Sequence, residues 1–151
     1  MALDDDIRIL SAVRLFESFT HEQLRLLAFG AETVRLPGER RLYRENDDAD
    51  AAYVVVSGSI SLFREQDGQR IVVGAAGPGS MLGELALIAE ARRPTSAAAV
   101  GDAELIRLGR KMFRRILEEY PETAVALHRR ILADLQAMIG RIEELAPRFA
   151  D

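Results

Sequence analysis

The chain has 151 residues, an ordinary apolar share, a formal net charge of -4 and no cysteine. That length suits one domain around one core, and the acidic balance excludes a chain that binds nucleic acid over its whole surface while leaving room for one bound anion. The missing cysteines exclude disulfides, thiol nucleophiles and thiolate zinc sites, and no apolar run approaches the roughly 20 residues of a membrane span.

In chain order, the start "MALDDDIRIL" is acidic and unlike a signal peptide, so a cytoplasmic protein with no membrane partner is expected. Ile7, Leu10, Val13 and Phe16 recur at helical spacing behind three aspartates that suit a helix N-terminus. Thr20 followed by Gln23 reads as a capping box that opens a second helix. N-terminal helices are therefore expected over about 5–31. From Thr33 the pattern turns to short strands: "TVRL", "RRLYRE", "AAYVVVSG" and "SISLFRE" on either side of Gly58, then "RIVVG" after a "QDG" turn. "SAAAVG" and "AELIRLG" close a β region expected over about 32–109. Helix returns over about 110–146, with Pro121 at a first turn. His128, Leu135 and Ile142 are seven apart, as are Ile131, Met138 and Leu145, which predicts an a/d seam and a homodimer through this helix.

Enzyme readings fail early. His21 and His128 lack companions at ligand spacing, and the loop "NDDAD" lacks the glycine and distant glutamate of a calcium loop. Neither a Walker loop nor a dinucleotide fingerprint is present. One stretch is different: "GELALIAEARRPTSA", residues 83–97. A turn of helix opened by Gly83 and Glu84 leaves its first amides without internal partners, a ready anion site. Arg93 follows across a tight loop, and a guanidinium offers a fork of donors matched to phosphate. Glu84 can accept from hydroxyls, so the pair suits the sugar-phosphate end of a nucleotide. The same residues also fit a simple Glu84–Arg93 ion pair bracing the loop.

"GELALI" followed by Arg93 resembles the phosphate-binding cassette of cyclic nucleotide-binding domains. "LPGERRLYREND", "YVVVSGSISLF" and "GPGSMLGELALI" resemble the strands that lead to it, and the ending resembles the family's two C-terminal helices. The resemblance covers nearly the whole chain. It implies an α+β fold: an antiparallel, jelly-roll-like β-roll flanked by N-terminal helices and a long C-terminal helix. It implies a non-catalytic module binding cyclic AMP, with cyclic GMP as the alternative. Gly83 would let the chain approach the cyclic phosphate, and the amides of Leu85 and Ala86 would face its oxygens. Arg93 would clamp the phosphate, and Glu84 would accept from the ribose 2′-hydroxyl. Val73 and Ala76 would line the base, and Met138 would reach it from the last helix.

Two departures stand out. The residue after the cassette arginine usually donates an N–H to the phosphate; here it is Pro94, which has none. One charge-assisted bond lost is worth about 1.5–3 kcal/mol, roughly ten- to a hundredfold in affinity, with Thr95 or Ser96 as the candidates to compensate. Met138 offers soft apolar contact instead of a hydrogen bond. No helix-turn-helix follows the long helix, so this chain alone is expected not to bind DNA. It reads as a sensor that stands alone or forms half of a transcription regulator. The alternative is a degenerate form of the fold that serves as a dimerisation or interaction module.

Overall fold

The computed structural model describes residues 2–150, and the side chains of 3–137, 139 and 140. The first helix, α1 (Ala2–Ser11), stops well short of the expected extent. Apolar residues every third position drift about 60° around an α-helix at each step, so one straight helix could not keep Ile7, Leu10, Val13 and Phe16 on one core. Instead the chain extends at Val13 and makes a 3-10 turn over Arg14–Phe16, which keeps all four buried. The capping box at Thr20 forms as expected and starts α2 (His21–Gly30). Gln23, which completes the box, also donates from Nε2 to Thr123 Oγ1 at 2.9 Å, tying α2 to the last helix.

The β region is an antiparallel roll. β1 (Glu32–Leu36), β2 (Arg41–Tyr43), β4 (Ala51–Gln66), β5 (Gln69–Ala76), β6 (Met81–Leu82) and β8 (Ser96–Gly109) form one sheet, with central order β1-β8-β4-β5. β3 (Asp48–Ala49) and β7 (Ala91–Arg92) form a separate pair. The two strands expected around Gly58 are one strand, β4, with its register broken at Ser57. Gly58 sits at a φ of 85°, and a Cβ there would lie 2.8 Å from the Cα of Ala103. Only glycine accepts both the conformation and the close approach, and the resulting bulge lets β4 and β8 curl into a roll.

Two apolar clusters flank β4. Val55 and Ile60 point into the roll with Leu36, Ala76, Leu82, Ala97 and Leu105. Ala52 and Val54 point outward to the helices, packing with Leu10, Phe16, Leu87 and Phe113. After the roll come α3 (Arg110–Glu119) and α4 (Pro121–Ala150). Leu127 and Ile131 of α4, one turn apart, are fully buried in the outer cluster.

That docking corrects the phase of the expected seam. Ile131 belongs to the chain's own core and is not open to a seam; the side chains of Met138, Ile142 and Leu145 lie outside the described residues. The uncovered column is Val125, Leu132 and Ile139, which are 51%, 56% and 53% exposed. Exposed His128 lies beside this column, whereas Leu135, the other expected seam position, is partly buried against the outer cluster.

Candidate functional site

Gly83 ends β6 in the left-handed conformation, at φ 75° and ψ 40°, and turns the chain into a 3-10 turn over Glu84–Leu87. The sequence predicts a longer helical turn through Glu90; the turn ends early because the chain must reach β7 within a few residues. Ala86 and Leu87 are buried, which anchors the turn on the roll. The Ala86 N–H donates to Gly83 O at 3.0 Å, so that amide closes the turn. Beyond the turn, Arg110 at the start of α3 donates from Nη1 to Ala89 O at 2.8 Å and Ala49 O at 3.1 Å. One side chain thereby joins the cassette, β3 and α3.

Arg92 and Arg93 follow in extended chain, where successive side chains point oppositely. Arg92 faces solvent, donates to Asn46 O and lies 3.6 Å from Asp48. Arg93 turns inward and is 4% exposed. Its backbone is fixed on both sides: Arg93 N–H donates to Asp47 O at 2.9 Å, and Asn46 N–H donates to Arg93 O at 2.7 Å. Its Nη2 donates to Ala51 O at 2.8 Å. Its Nε and Nη1 have no partner among the described residues. The guanidinium lies over the ring of Tyr43, with Tyr53 next to it. A Cβ on Gly83 would overlap Arg93 Nη1, so glycine is required there for the arginine to reach the turn as well as for the backbone.

Glu84 does not pair with Arg93, which removes the simple brace as an account of the two residues. Its carboxyl is pushed above the usual carboxylate range, first by burial and then by the negative charge of Asp134 on α4. The cassette and the last helix thus sense each other electrostatically. They also share an apolar groove of about 640 Å³ between Leu87, Ile88, Leu117, Val125, His128 and Leu132.

The other sequence candidates separate. Ala76 is buried on the inner face of the roll beside Ile60. Val73 falls at a bulge in β5 and is 54% exposed, so of the two only Ala76 faces the interior. Thr95 is half-buried. Ser96 is buried and its Oγ accepts from Glu45 N–H at 2.8 Å, a bond that secures the neighbouring loop. Leu85 is partly exposed at the turn, and the Met138 side chain lies outside the described residues. A polar cleft of about 680 Å³ opens on Arg41, Arg44, Asn46, Arg92, Arg93 and Ser96; Gly83 to Ala86 do not line it. Tyr43, Tyr53, Arg110 and Asp134 are the residues sequence reasoning missed. Each matters through a neighbour distant in sequence, and only the position of Arg110 at a helix start leaves any local trace.

Among the described residues, no group of three or more His, Asp or Glu could hold a metal ion, and no helix is long and apolar enough to cross a membrane. What remains is a β-roll that buries an arginine, two of its nitrogens unpartnered among the described residues, beside a glycine-opened turn. The chain belongs to the cyclic nucleotide-binding domain family, whose pattern matches residues 33–120. It is 57% identical to a cyclic nucleotide-binding-like protein from Brucella abortus, over 76% of this chain and 99% of that one, with a TM-score of 0.72. It is 32% identical to the regulatory domain of Toxoplasma gondii PKA, solved with cAMP, over 76% of this chain and 44% of that one, with a TM-score of 0.70. It also resembles lysophospholipase nte1 of Aspergillus fumigatus, 28% identical over 136 residues, which are 89% of this chain but only 9% of that protein.

Proposed function

We propose that this chain is a non-catalytic regulatory module that reversibly binds a cyclic nucleotide, cyclic AMP in preference to cyclic GMP. The observation that carries the reading is Arg93: a buried cation with two unused donors, held against a left-handed glycine. A buried charge without a counter-charge is costly, and a phosphate is the partner that matches its fork. The PKA relative solved with cAMP supports that ligand. In this reading Gly83, the Leu85 amide and Arg93 meet the cyclic phosphate, and Glu84 accepts from the ribose. The base rests toward Ala76, with Val73 at the rim and Met138 closing from α4. The preference for cyclic AMP rests on Pro94, which offers no hydroxyl where relatives that prefer cyclic GMP tend to carry threonine.

Ligand would act by favouring one docking of α4 on the cassette. The charge of Asp134 acting on Glu84, Arg110 bridging to α3 and the shared apolar groove are the couplings through which that shift would pass. The exposed column on α4 supports a homodimer, since two copies would cover the same stripe on each other.

A second reading is an interaction module with little ligand affinity. Pro94 favours it, as does the Ala86 amide already spent on Gly83 O. Calorimetric titration with cyclic AMP and cyclic GMP separates the two: saturable heat with tighter cyclic AMP binding supports the sensor, and no saturable heat with either nucleotide supports the interaction module.

A further inference from the structure

Arg93 is held by aromatic faces, not by a carboxylate. Its Cζ lies 4.3 Å from the centre of the Tyr43 ring and 5.5 Å from that of Tyr53. The two rings are 6.2 Å apart and inclined by 35°. A guanidinium is attracted to a ring face by the ring's quadrupole, more strongly where water is excluded. A carboxylate in the same place would also hold the cation, but it would occupy the N–H donors and cancel the charge. A ring face leaves the donors at the guanidinium edge free, and Nε and Nη1 are indeed unpartnered among the described residues. Tyr43 reaches this position because it pairs across the strands with Ala97, a small neighbour that leaves room for the ring. Burial pushes the Tyr43 hydroxyl above its ordinary range, so the ring stays neutral and does not become the counter-ion.

We propose that Tyr43 is the positioning residue for Arg93: its ring fixes the guanidinium plane so that Nε and Nη1 face an anion bound at Gly83. The proposal rests on the reading of this site as an anion site. It also has a consequence that needs no ligand, since a ring 4.3 Å away shifts the resonances of the guanidinium.

The test uses the whole chain and three proteins: native, Tyr43→Phe and Tyr43→Leu, with Tyr43→Met replacing the last should it not fold. Arginine side-chain Nε–H spectra are recorded without ligand, with Arg93→Lys to assign the signal. The Arg93 signal should stand apart from those of exposed arginines in the native and Phe proteins and move toward them in the Leu protein. Cyclic AMP affinity should stay within about twofold in Tyr43→Phe and fall about tenfold or more in Tyr43→Leu, at an unchanged fold by circular dichroism. The proposal is overturned if the Leu protein keeps the native signal or the native affinity, or if Phe behaves like Leu. If the native chain binds no cyclic nucleotide, the reading of the site fails, and the spectra alone still decide whether Tyr43 orients Arg93.

Discussion

The cassette and the last helix are incomplete in opposite ways. Around Gly83–Arg93 the backbone is held from both sides by Asn46, Asp47 and Arg110, yet the Arg93 charge has no counter-charge among the described residues. Along the described part of α4, Leu127 and Ile131 are packed inward, yet Val125, Leu132 and Ile139 are left without cover. A buried cation with free donors selects an anion, whereas an exposed heptad column selects another apolar surface. One chain thus carries two unmet requirements of different chemistry, and the carboxylates Glu84 and Asp134 lie where they meet.

The comparison breaks most visibly on α4. Leu132→Glu places a charge in the exposed column without touching the chain's own core. Light scattering at micromolar concentration should fall from twice the chain mass to one chain mass; a native chain that is already a monomer shows that α4 needs no partner. At the cassette, Gly83→Ala should cost at least about 1 kcal/mol of stability, because alanine disfavours the left-handed conformation. It should also weaken cyclic AMP binding at least tenfold, because the added methyl displaces Arg93; urea melts and calorimetry check the two parts.

Where the two regions meet, the effect is smaller and depends on pH. Glu84 has a raised folded pKa, so the folded state holds a proton more readily than the unfolded one. Stability should therefore fall as pH rises from the ordinary carboxylate value through the raised one. Glu84→Gln should remove that slope in urea melts between pH 4 and 8, leave the protein more stable at neutral pH and weaken nucleotide binding. An unchanged slope would mean that Asp134 and burial do not act on Glu84. The smallest effect is expected at Arg92, whose side chain is 65% exposed: Arg92→Ala should change affinity less than twofold, and a larger loss would show that the two arginines share the task.

Much of this was legible in the sequence because it was local. Thr20 and Gln23 are three residues apart, and the capping box they announce is formed. The glycine-opened turn was readable from "GELALI", and Arg93 was singled out as the arginine that follows it. Helix phase was not: only docking against Phe16 and Phe113 decides that Ile131 faces inward and Leu132 outward. Nor was the break after Ser11, where burial of Val13 and Phe16 outweighed helix continuity. The rings under Arg93 come from residues 50 and 40 positions upstream, joined to it by strand register alone. Val73 shows the same limit, since β5 lies at the end of the strand order and Ile71, Val72 and Val73 are all exposed there despite their apolar side chains.

Arg93 is proposed as the counter-charge for a bound cyclic phosphate. The most direct measurement is a calorimetric titration of cyclic AMP into the native chain and into Arg93→Ala, with 5′-AMP as the open-chain control. The account expects one cyclic AMP per native chain, little heat from 5′-AMP, and affinity reduced at least tenfold in a folded Arg93→Ala protein. Equal affinity in the two proteins, or no saturable binding by the native chain, would contradict it.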